Sequence, residues 1–185
     1  MKRIFIAAKI HVNDKTHNII NEIICKLSNE KIKWVNIANM HITLKFLGDT
    51  EEEIIPLIFN KLSDKIENKF PDSSFLLAGM GVFGKLKSPR VLWMGIKNKN
   101  ALSDINSIVE NELYDLGIEK SAKSYSPHLT IGRIKFMKNF RKLNEILEKY
   151  ENYEFQEIEL NEIIIYESIL KPTGPAYKAL HSVKL

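Results

Sequence analysis

The sequence has little of what stabilises exported or membrane-bound proteins. It contains one cysteine, Cys25, so no disulfide can form within the chain. Cys25 lies among Ile23, Ile24 and Leu27, which predicts a buried core thiol. No apolar run approaches the roughly 20 residues that a bilayer crossing needs, and Lys9 and His11 end the opening apolar stretch too early for a signal peptide. We therefore expect a cytoplasmic protein that does not contact a membrane.

Linkers and low-complexity segments are also absent. No stretch rich in proline, glycine or serine divides the 185-residue chain, so we expect a single domain over residues 1–185. Hydrophobic residues make up 44% of the chain and charged residues 27%, a balance that is typical of soluble globular proteins and excludes disorder and coiled coils. A chain of this length buries enough surface to need neither a disulfide nor a metal for its core.

The excess of positive charge is small. The chain has 27 Lys and Arg residues and 23 Asp and Glu residues, for a net charge of +4 and a pI near 9.0. This surplus favours anionic partners, but it is much less than that of a protein that binds nucleic acid by charge alone. A small phosphorylated ligand or the end of an RNA chain fits it.

Strand-like and helix-like periodicities alternate along the chain. Strands are predicted at 3–10, 40–47, 75–82, 91–96, 127–134, 154–160, 163–170 and 177–183, the segments within 154–170 forming one interrupted strand or two. Helical stripes lie at 19–27, 54–66, 102–116 and 140–150. Asn13 or Asp14 is predicted to cap the first helix, whereas Thr50 and Glu53 predict a capping box for the second, in which Pro56 predicts a kink or a late start. This mixed order predicts an α+β fold with antiparallel sheets and helices packed on one side.

Two of the predicted strands carry related sequences. They read MHITL at 40–44 and PHLTI at 127–131, nearly half the chain apart. A repeat with this spacing is typical of two lobes related by a pseudo-twofold axis, and not of a solenoid. Because side chains alternate between the faces of a strand, we expect His41, Thr43 and Lys45 on one polar face, with Phe46 pointing into the core.

The second motif follows the same rule. His128 and Thr130 share one face of their strand, so two His-Thr pairs meet across a cleft if the lobes face each other. Strict alternation gives Arg133 the wrong parity relative to His128, but a bulge or strand end at Gly132 would turn it towards the same face. A guanidinium there would add a fork of donors that suits phosphate.

The paired motifs favour proton transfer at phosphorus. One imidazole can take a proton from water while the other gives one to a leaving oxygen, and threonine hydroxyls can hold the phosphate. A catalytic metal is the main rival, but no His-Glu-x-x-His motif, cysteine pair or acidic cluster accompanies His41 and His128. From the residues alone, a shared phosphate site and two ordinary structural histidines both stay open.

The segments HITLKFLGD at 41–49 and PHLTIGR at 127–133 resemble the two signature motifs of the 2H phosphoesterases. Within that superfamily the chain is similar, over its whole length, to the RNA 2′,3′-cyclic phosphodiesterases, also called 2′-5′ RNA ligases. The similarity includes RIFIA at 3–7, WV at 34–35, GVF at 81–83, RVLW at 90–93 and ESILKPTGPAY at 167–177.

The resemblance implies a bilobal, pseudo-twofold α+β fold, with two antiparallel sheets facing a central cleft and helices on the outside. It implies hydrolysis of a 2′,3′-cyclic phosphate, at an RNA end or on a nucleotide, to a 2′-phosphate without metal or other cofactor. His128 would accept a proton from water, and His41 would donate one to the departing 3′ oxygen. Thr43, Thr130 and Arg133 would hold the phosphate. The same groups would serve the reverse reaction, 2′-5′ RNA ligation, by microscopic reversibility.

Two other functions and several secondary features stay open. The first alternative is a cyclic phosphodiesterase that acts on small nucleotides or on ADP-ribose cyclic phosphate. The second is a non-catalytic module that binds a nucleotide or an RNA end. A monomer is the default expectation. The basic segment at 84–90 either contacts RNA or is a solvated hairpin connection, and Phe83, Trp34 or Tyr125 either stacks on a base or packs in the core.

Overall fold

The structure is a computed structural model that describes residues 1–71, 73–85, 87–172 and 174–185. Leu86, in the basic segment, and Thr173, in the last of the segments similar to the family, lie outside these residues, as does Asp72. The described residues form nine strands and four α-helices. The strands are β1 (Lys2–Lys9), β2 (Lys31–Trp34), β3 (His41–Thr50), β4 (Ser74–Lys85), β5 (Ser88–Lys97), β6 (Leu129–Phe136), β7 (Glu154–Glu159), β8 (Glu162–Lys171) and β9 (Gly174–Lys184). The helices are α1 (Asp14–Lys26), α2 (Ile54–Ile66), α3 (Asn100–Tyr114) and α4 (Phe140–Tyr150).

The strands form an antiparallel arrangement in the order β7-β4-β5-β6-β3-β1-β8-β9, with β2 paired to the free side of β6. The pairing between β6 and β3 consists of Ile42 opposite Leu129, whereas the other neighbours pair over several residues. The sheet therefore has a five-stranded half (β7, β4, β5, β6 and β2) and a four-stranded half (β3, β1, β8 and β9) that meet at one point, which confirms the predicted bilobal α+β fold.

The two lobes are not the two halves of the chain. Strand β1 at the N-terminus pairs with β8 near the C-terminus, and β2 crosses over to pair with β6. Helices α2 and α3 pack on each other and on the β3–β9 lobe, whereas α1 and α4 pack on β7 and β4 of the other lobe. The repeat seen in the sequence therefore relates β3 to β6, with one of these strands in each lobe. Each lobe also contains strands from the other half of the chain.

Most local predictions hold, with two corrections. Asn13 caps α1, and its side chain accepts a hydrogen bond from the amide of Thr16 at 2.8 Å. The predicted capping box is wrong, because the Thr50 hydroxyl donates to the carbonyl of Gly48 and helix α2 begins only at Ile54. This late start places Pro56 in the first turn, where the missing amide costs no hydrogen bond.

The predicted burial of Cys25 is also wrong, since its side chain is exposed. The buried stripe of α1 consists of Thr16, Ile19, Ile20 and Ile23, and Cys25 lies two residues beyond Ile23, which turns it to the opposite side of the helix.

The segments within 154–170 are two separate strands, because β7 pairs with β4 and β8 pairs with β1 and β9. No helix in the described part of the chain is long and apolar enough to cross a membrane. The single-domain and monomer expectations stay predictions.

Candidate active site

The central cavity lies where the two lobes meet. Ile42 and Leu129, which form the β3–β6 pair, are both fully buried and point away from it. Alternation along the strands then turns the flanking histidine and threonine of each motif to the opposite face. The cavity encloses about 500 Å³. Its lining includes all five residues predicted from the sequence: His41, Thr43, His128, Thr130 and Arg133.

A β-bulge accounts for the position of Arg133. In the β5–β6 ladder Trp93 pairs with Thr130 but Leu92 pairs with Gly132, so Ile131 is an extra residue. Ile131 and Gly132 are consecutive buried residues, and the parity of the strand changes after them. Arg133 consequently faces the cavity with His128 and Thr130. A side chain at Gly132 would meet the methyl group of Ile32 at 2.8 Å, so this crowded position requires glycine.

The equivalent bulge in β3 overturns two predictions. Ile6 pairs with Lys45 but Ala7 pairs with Thr43, so Leu44 is the extra residue. Lys45 therefore turns inward, where it is 3% exposed, and does not share the face of His41 as expected. Phe46, predicted to be in the core, is 69% exposed and lines the central cavity.

Lys45 is held by an internal ion pair. Its ammonium group donates hydrogen bonds to the carboxylate of Glu110 on α3 and, at 2.9 Å, to the carbonyl of Glu119. Burial raises the pKa of Glu110, but the hydrogen bonds from Lys45 and Ser121 outweigh it, so that its pKa lies below the ordinary value. Lys45 therefore connects β3 to α3 and does not line the cavity.

The two histidine rings are oriented in the same way. The Nδ1 atom of His41 lies 2.7 Å from the carbonyl of Asn39, and that of His128 lies 2.8 Å from the carbonyl of Ser126. A carbonyl can only accept a hydrogen bond, so each Nδ1 carries a proton and each Nε2 is the atom left for proton transfer. In each motif, the carbonyl two residues upstream of the histidine orients its ring.

The environment of His41 disfavours its charged form. Burial is the largest cause that lowers its pKa from the ordinary value, and the hydrogen bond to the Asn39 carbonyl opposes it. The positive charges of Arg133 and His128 lower the pKa further, which places both groups within electrostatic reach of His41. A bound anion would offset these two positive charges.

Aromatic side chains support both histidines. The ring of His41 lies 5.1 Å from those of Phe5 and Tyr177, and the ring of His128 lies 4.7 Å from that of Phe83. Phe83 in turn packs on Trp93 at 5.4 Å. Of these residues only Phe83 was a candidate from the sequence; Phe5 and Tyr177 become recognisable once β1, β3, β8 and β9 are known to be neighbours.

The aromatic residues proposed to stack on a base divide into two groups. Phe83 and Trp34 line the central cavity, whereas Tyr125 packs against the core, and its buried hydroxyl has no hydrogen-bond partner among the residues that the structure describes. Burial raises the pKa of the Tyr125 hydroxyl above its ordinary value.

Among the described residues, no group of three or more His, Cys, Asp or Glu side chains is placed to hold a metal ion.

Solved structures share this fold. The protein TT0787 of Thermus thermophilus superposes with a TM-score of 0.80 and 22% identity, covering 99% of this chain and 97% of the other. Escherichia coli LigT complexed with 3′-AMP superposes with a TM-score of 0.71 and 20% identity, over 100% of this chain and 98% of the other. At these identities the similarity shows the fold.

Sequence comparison gives the family. The chain is 36% identical to an RNA 2′,3′-cyclic phosphodiesterase of Methanocaldococcus jannaschii, over 96% of this chain and 98% of that protein. It is 37% identical to an RNA 2′,3′-cyclic phosphodiesterase of Thermotoga maritima, over 97% and 93% of the two chains. The family model of the AKAP7 2′5′ RNA ligase-like domain matches residues 5–185. The chain therefore belongs to the 2′-5′ RNA ligase-like family, within the 2H phosphoesterases.

Proposed function

We propose that this protein hydrolyses RNA 2′,3′-cyclic phosphate ends to 2′-phosphates with two histidines and no metal. Membership of a family whose relatives are RNA 2′,3′-cyclic phosphodiesterases supports cyclic phosphodiesterase activity. The observation that carries the mechanism is the convergence of His41 and His128, from separate lobes, on one cavity, with each Nδ1 at a backbone carbonyl so that Nε2 is left for proton transfer. Two such imidazoles can act as acid and base in the same reaction.

In the proposed reaction the cyclic phosphate lies between the histidines. Nε2 of His128 takes a proton from water, whose oxygen forms a bond to phosphorus. The bond from phosphorus to the 3′ oxygen breaks on the opposite side, and Nε2 of His41 gives that oxygen a proton. The products are a 3′ hydroxyl and a 2′-phosphate. Before the next turnover, His128 releases a proton to solvent and His41 takes one up.

Three further side chains hold the phosphate in the proposed complex. The hydroxyls of Thr43 and Thr130 donate to the non-bridging oxygens, and the Arg133 guanidinium neutralises their charge. The substrate anion also explains how His41 serves as an acid, because it offsets the Arg133 charge that contributes to the low pKa of the free histidine. The same groups, acting in reverse, would join a cyclic end to a 5′ hydroxyl.

The direct test is an assay of the purified protein with EDTA on an RNA that ends in a 2′,3′-cyclic phosphate. We expect the cyclic end to disappear and the 2′-phosphate to form, with the isomer identified by ³¹P NMR. Loss of activity with EDTA and its return with a divalent cation would overturn the metal-independent mechanism. A 3′-phosphate product would overturn the assignment of the 3′ oxygen as leaving group.

A non-catalytic binding module is the second candidate. The site contains both proton-transfer groups, each oriented by its own carbonyl, which a pure binder would not need. Tight binding of the cyclic end with no product would favour that candidate. Comparison of an oligonucleotide with a cyclic mononucleotide and with ADP-ribose cyclic phosphate separates the RNA enzyme from an enzyme for small cyclic esters.

A further inference from the structure

A second cavity opens beside the central one. It encloses about 590 Å³ and shares Val91, Arg133 and Lys135 with the central cavity. We call it the basic groove, defined by Lys87, Arg90, Arg133, Lys135, Phe136 and Phe140. It runs from the proposed phosphate site along the ends of β5 and β6 towards the start of α4.

The charge along this path is of one sign. The linings of the two cavities include five Lys and Arg side chains and no Asp or Glu among the described residues. The whole chain is nearly balanced, with 27 basic and 23 acidic residues, so the acidic residues are concentrated elsewhere. No acidic side chain of the described residues lies within ion-pair distance of Lys87, Arg90 or Lys135. A polyanion could therefore occupy the groove without displacing an internal partner.

The groove also presents aromatic surface. Phe136 is 53% exposed at the end of β6, and Phe140 is partly buried at the start of α4. Inorganic phosphate would use the basic side chains but gain nothing from an exposed phenyl ring. Basic side chains next to an aromatic face are the combination that binds single-stranded nucleic acid, with phosphates on the cations and bases on the ring.

We propose that the basic groove binds the nucleotides of single-stranded RNA that precede the cyclic phosphate end. The proposal rests on the proposed function, because the cyclic end in the central cavity determines which part of the chain reaches the groove. Lys87 and Arg90 contact backbone phosphates, and Phe136 stacks on a base. The groove thus makes the enzyme prefer RNA ends to cyclic mononucleotides, and it assigns Lys87 and Arg90 of the basic segment to RNA binding.

The test compares substrates of different length. We measure kcat/KM for a 2′,3′-cyclic mononucleotide and for single-stranded oligonucleotides of increasing length that end in a cyclic phosphate, at low and high salt. We expect kcat/KM to rise with length and then level off. The Lys87→Ala/Arg90→Ala variant should lower the oligonucleotide value on the order of 10-fold and reduce the log–log salt slope by about 0.7 per lost phosphate contact. Phe136→Ser should lower it roughly 5- to 150-fold.

The mononucleotide serves as the internal control. Both groove variants should turn it over as the wild type does, which also shows that they are folded. A matched pair of charge removals, Lys26→Ala/Lys65→Ala, lies on exposed positions of α1 and α2 that line neither cavity and should change neither substrate. The groove proposal is overturned if the groove variants lose kcat/KM equally with both substrates, or if the wild type shows no dependence on oligonucleotide length. Either result leaves the proposed function unaffected.

The two proposals fail in different ways. If the wild type hydrolyses no cyclic phosphate of any length, the proposed function fails. The groove is then judged by fluorescence anisotropy with a labelled oligonucleotide that ends in a 2′-phosphate. Unchanged affinity in the Lys87→Ala/Arg90→Ala variant would overturn it, and weaker affinity with a reduced salt slope would support it.

Discussion

Ile42 pairs with Leu129 at the one point where the two halves of the sheet meet, and each lies between the histidine and the threonine of its own motif. Both side chains are fully buried, so the four polar neighbours face the cavity on the other side. The junction that joins the lobes thus also assembles the site. Any change in the β3–β6 register would separate the two histidines.

The threonine hydroxyls offer a conservative test of phosphate binding. Thr43→Val and Thr130→Val keep the shape of the side chain and remove its donor. Each should lower kcat/KM roughly 10- to 150-fold, since a hydrogen bond to a charged group contributes about 1.5–3 kcal/mol. Thr→Ser at either position keeps the hydroxyl and should retain most of the activity. Wild-type kinetics in both valine variants would show that the hydroxyls do not hold the substrate.

Arg133 tests whether geometry or charge matters at the bulge. Arg133→Lys keeps the charge but loses the planar fork of donors, so we expect at least about a tenfold loss in kcat/KM. Arg133→Met also removes the charge and should lose more. Because the Arg133 charge contributes to the low pKa of His41, NMR titration of Arg133→Met should show that pKa raised. An Arg133→Lys variant as active as wild type would argue against bidentate binding.

The pH dependence should show the low pKa of His41. In the free protein this pKa lies below the ordinary value of 6.5, so His41 loses its proton at lower pH than an exposed histidine. The alkaline limb of kcat/KM, which reports the free enzyme, should therefore lie at lower pH than the alkaline limb of kcat, where bound phosphate stabilises the charged ring. These values belong to the interacting pair. Alkaline limbs in the opposite order would contradict His41 as the acid.

The Lys45–Glu110 pair should contribute to stability and not to chemistry. The two side chains are 2% and 14% exposed, so Glu110→Gln leaves a buried ammonium without its counter-charge. We expect a loss of about 3–5 kcal/mol in the free energy of unfolding, measured in urea. The exposed Arg141–Glu145 pair on α4 is the control, and Arg141→Ala should change stability little. A Glu110→Gln variant that unfolds at the wild-type urea concentration would contradict the role of this pair.

How much of the site follows from the sequence depends on how local the signal is. The orientation of His41, Thr43, His128 and Thr130 needs only strand alternation and a visible repeat, and both are local. The positions of Lys45 and Phe46 depend on a bulge at Leu44 that is defined by the register against β1. No local pattern shows which strand will lie beside β3.

The remaining differences have related causes. Arg133 was assignable only on the condition of a bulge, which the pairing with β5 supplies. The aromatic support of His41 by Tyr177 depends on contacts between strands from opposite ends of the chain. The exposure of Cys25 was predictable in principle, because the period of α1 already separates it from the buried stripe.

The central claim is that two histidines share one phosphate, and single-site variants test it most directly. His41→Ala and His128→Ala should each lower the rate of 2′-phosphate formation from a cyclic RNA end by a factor on the order of 10²–10⁴. The double variant should fall little further, because the two groups act as a unit. His17→Ala, on α1 and outside the central cavity, should retain the wild-type rate. A wild-type rate in either His41→Ala or His128→Ala would contradict the account.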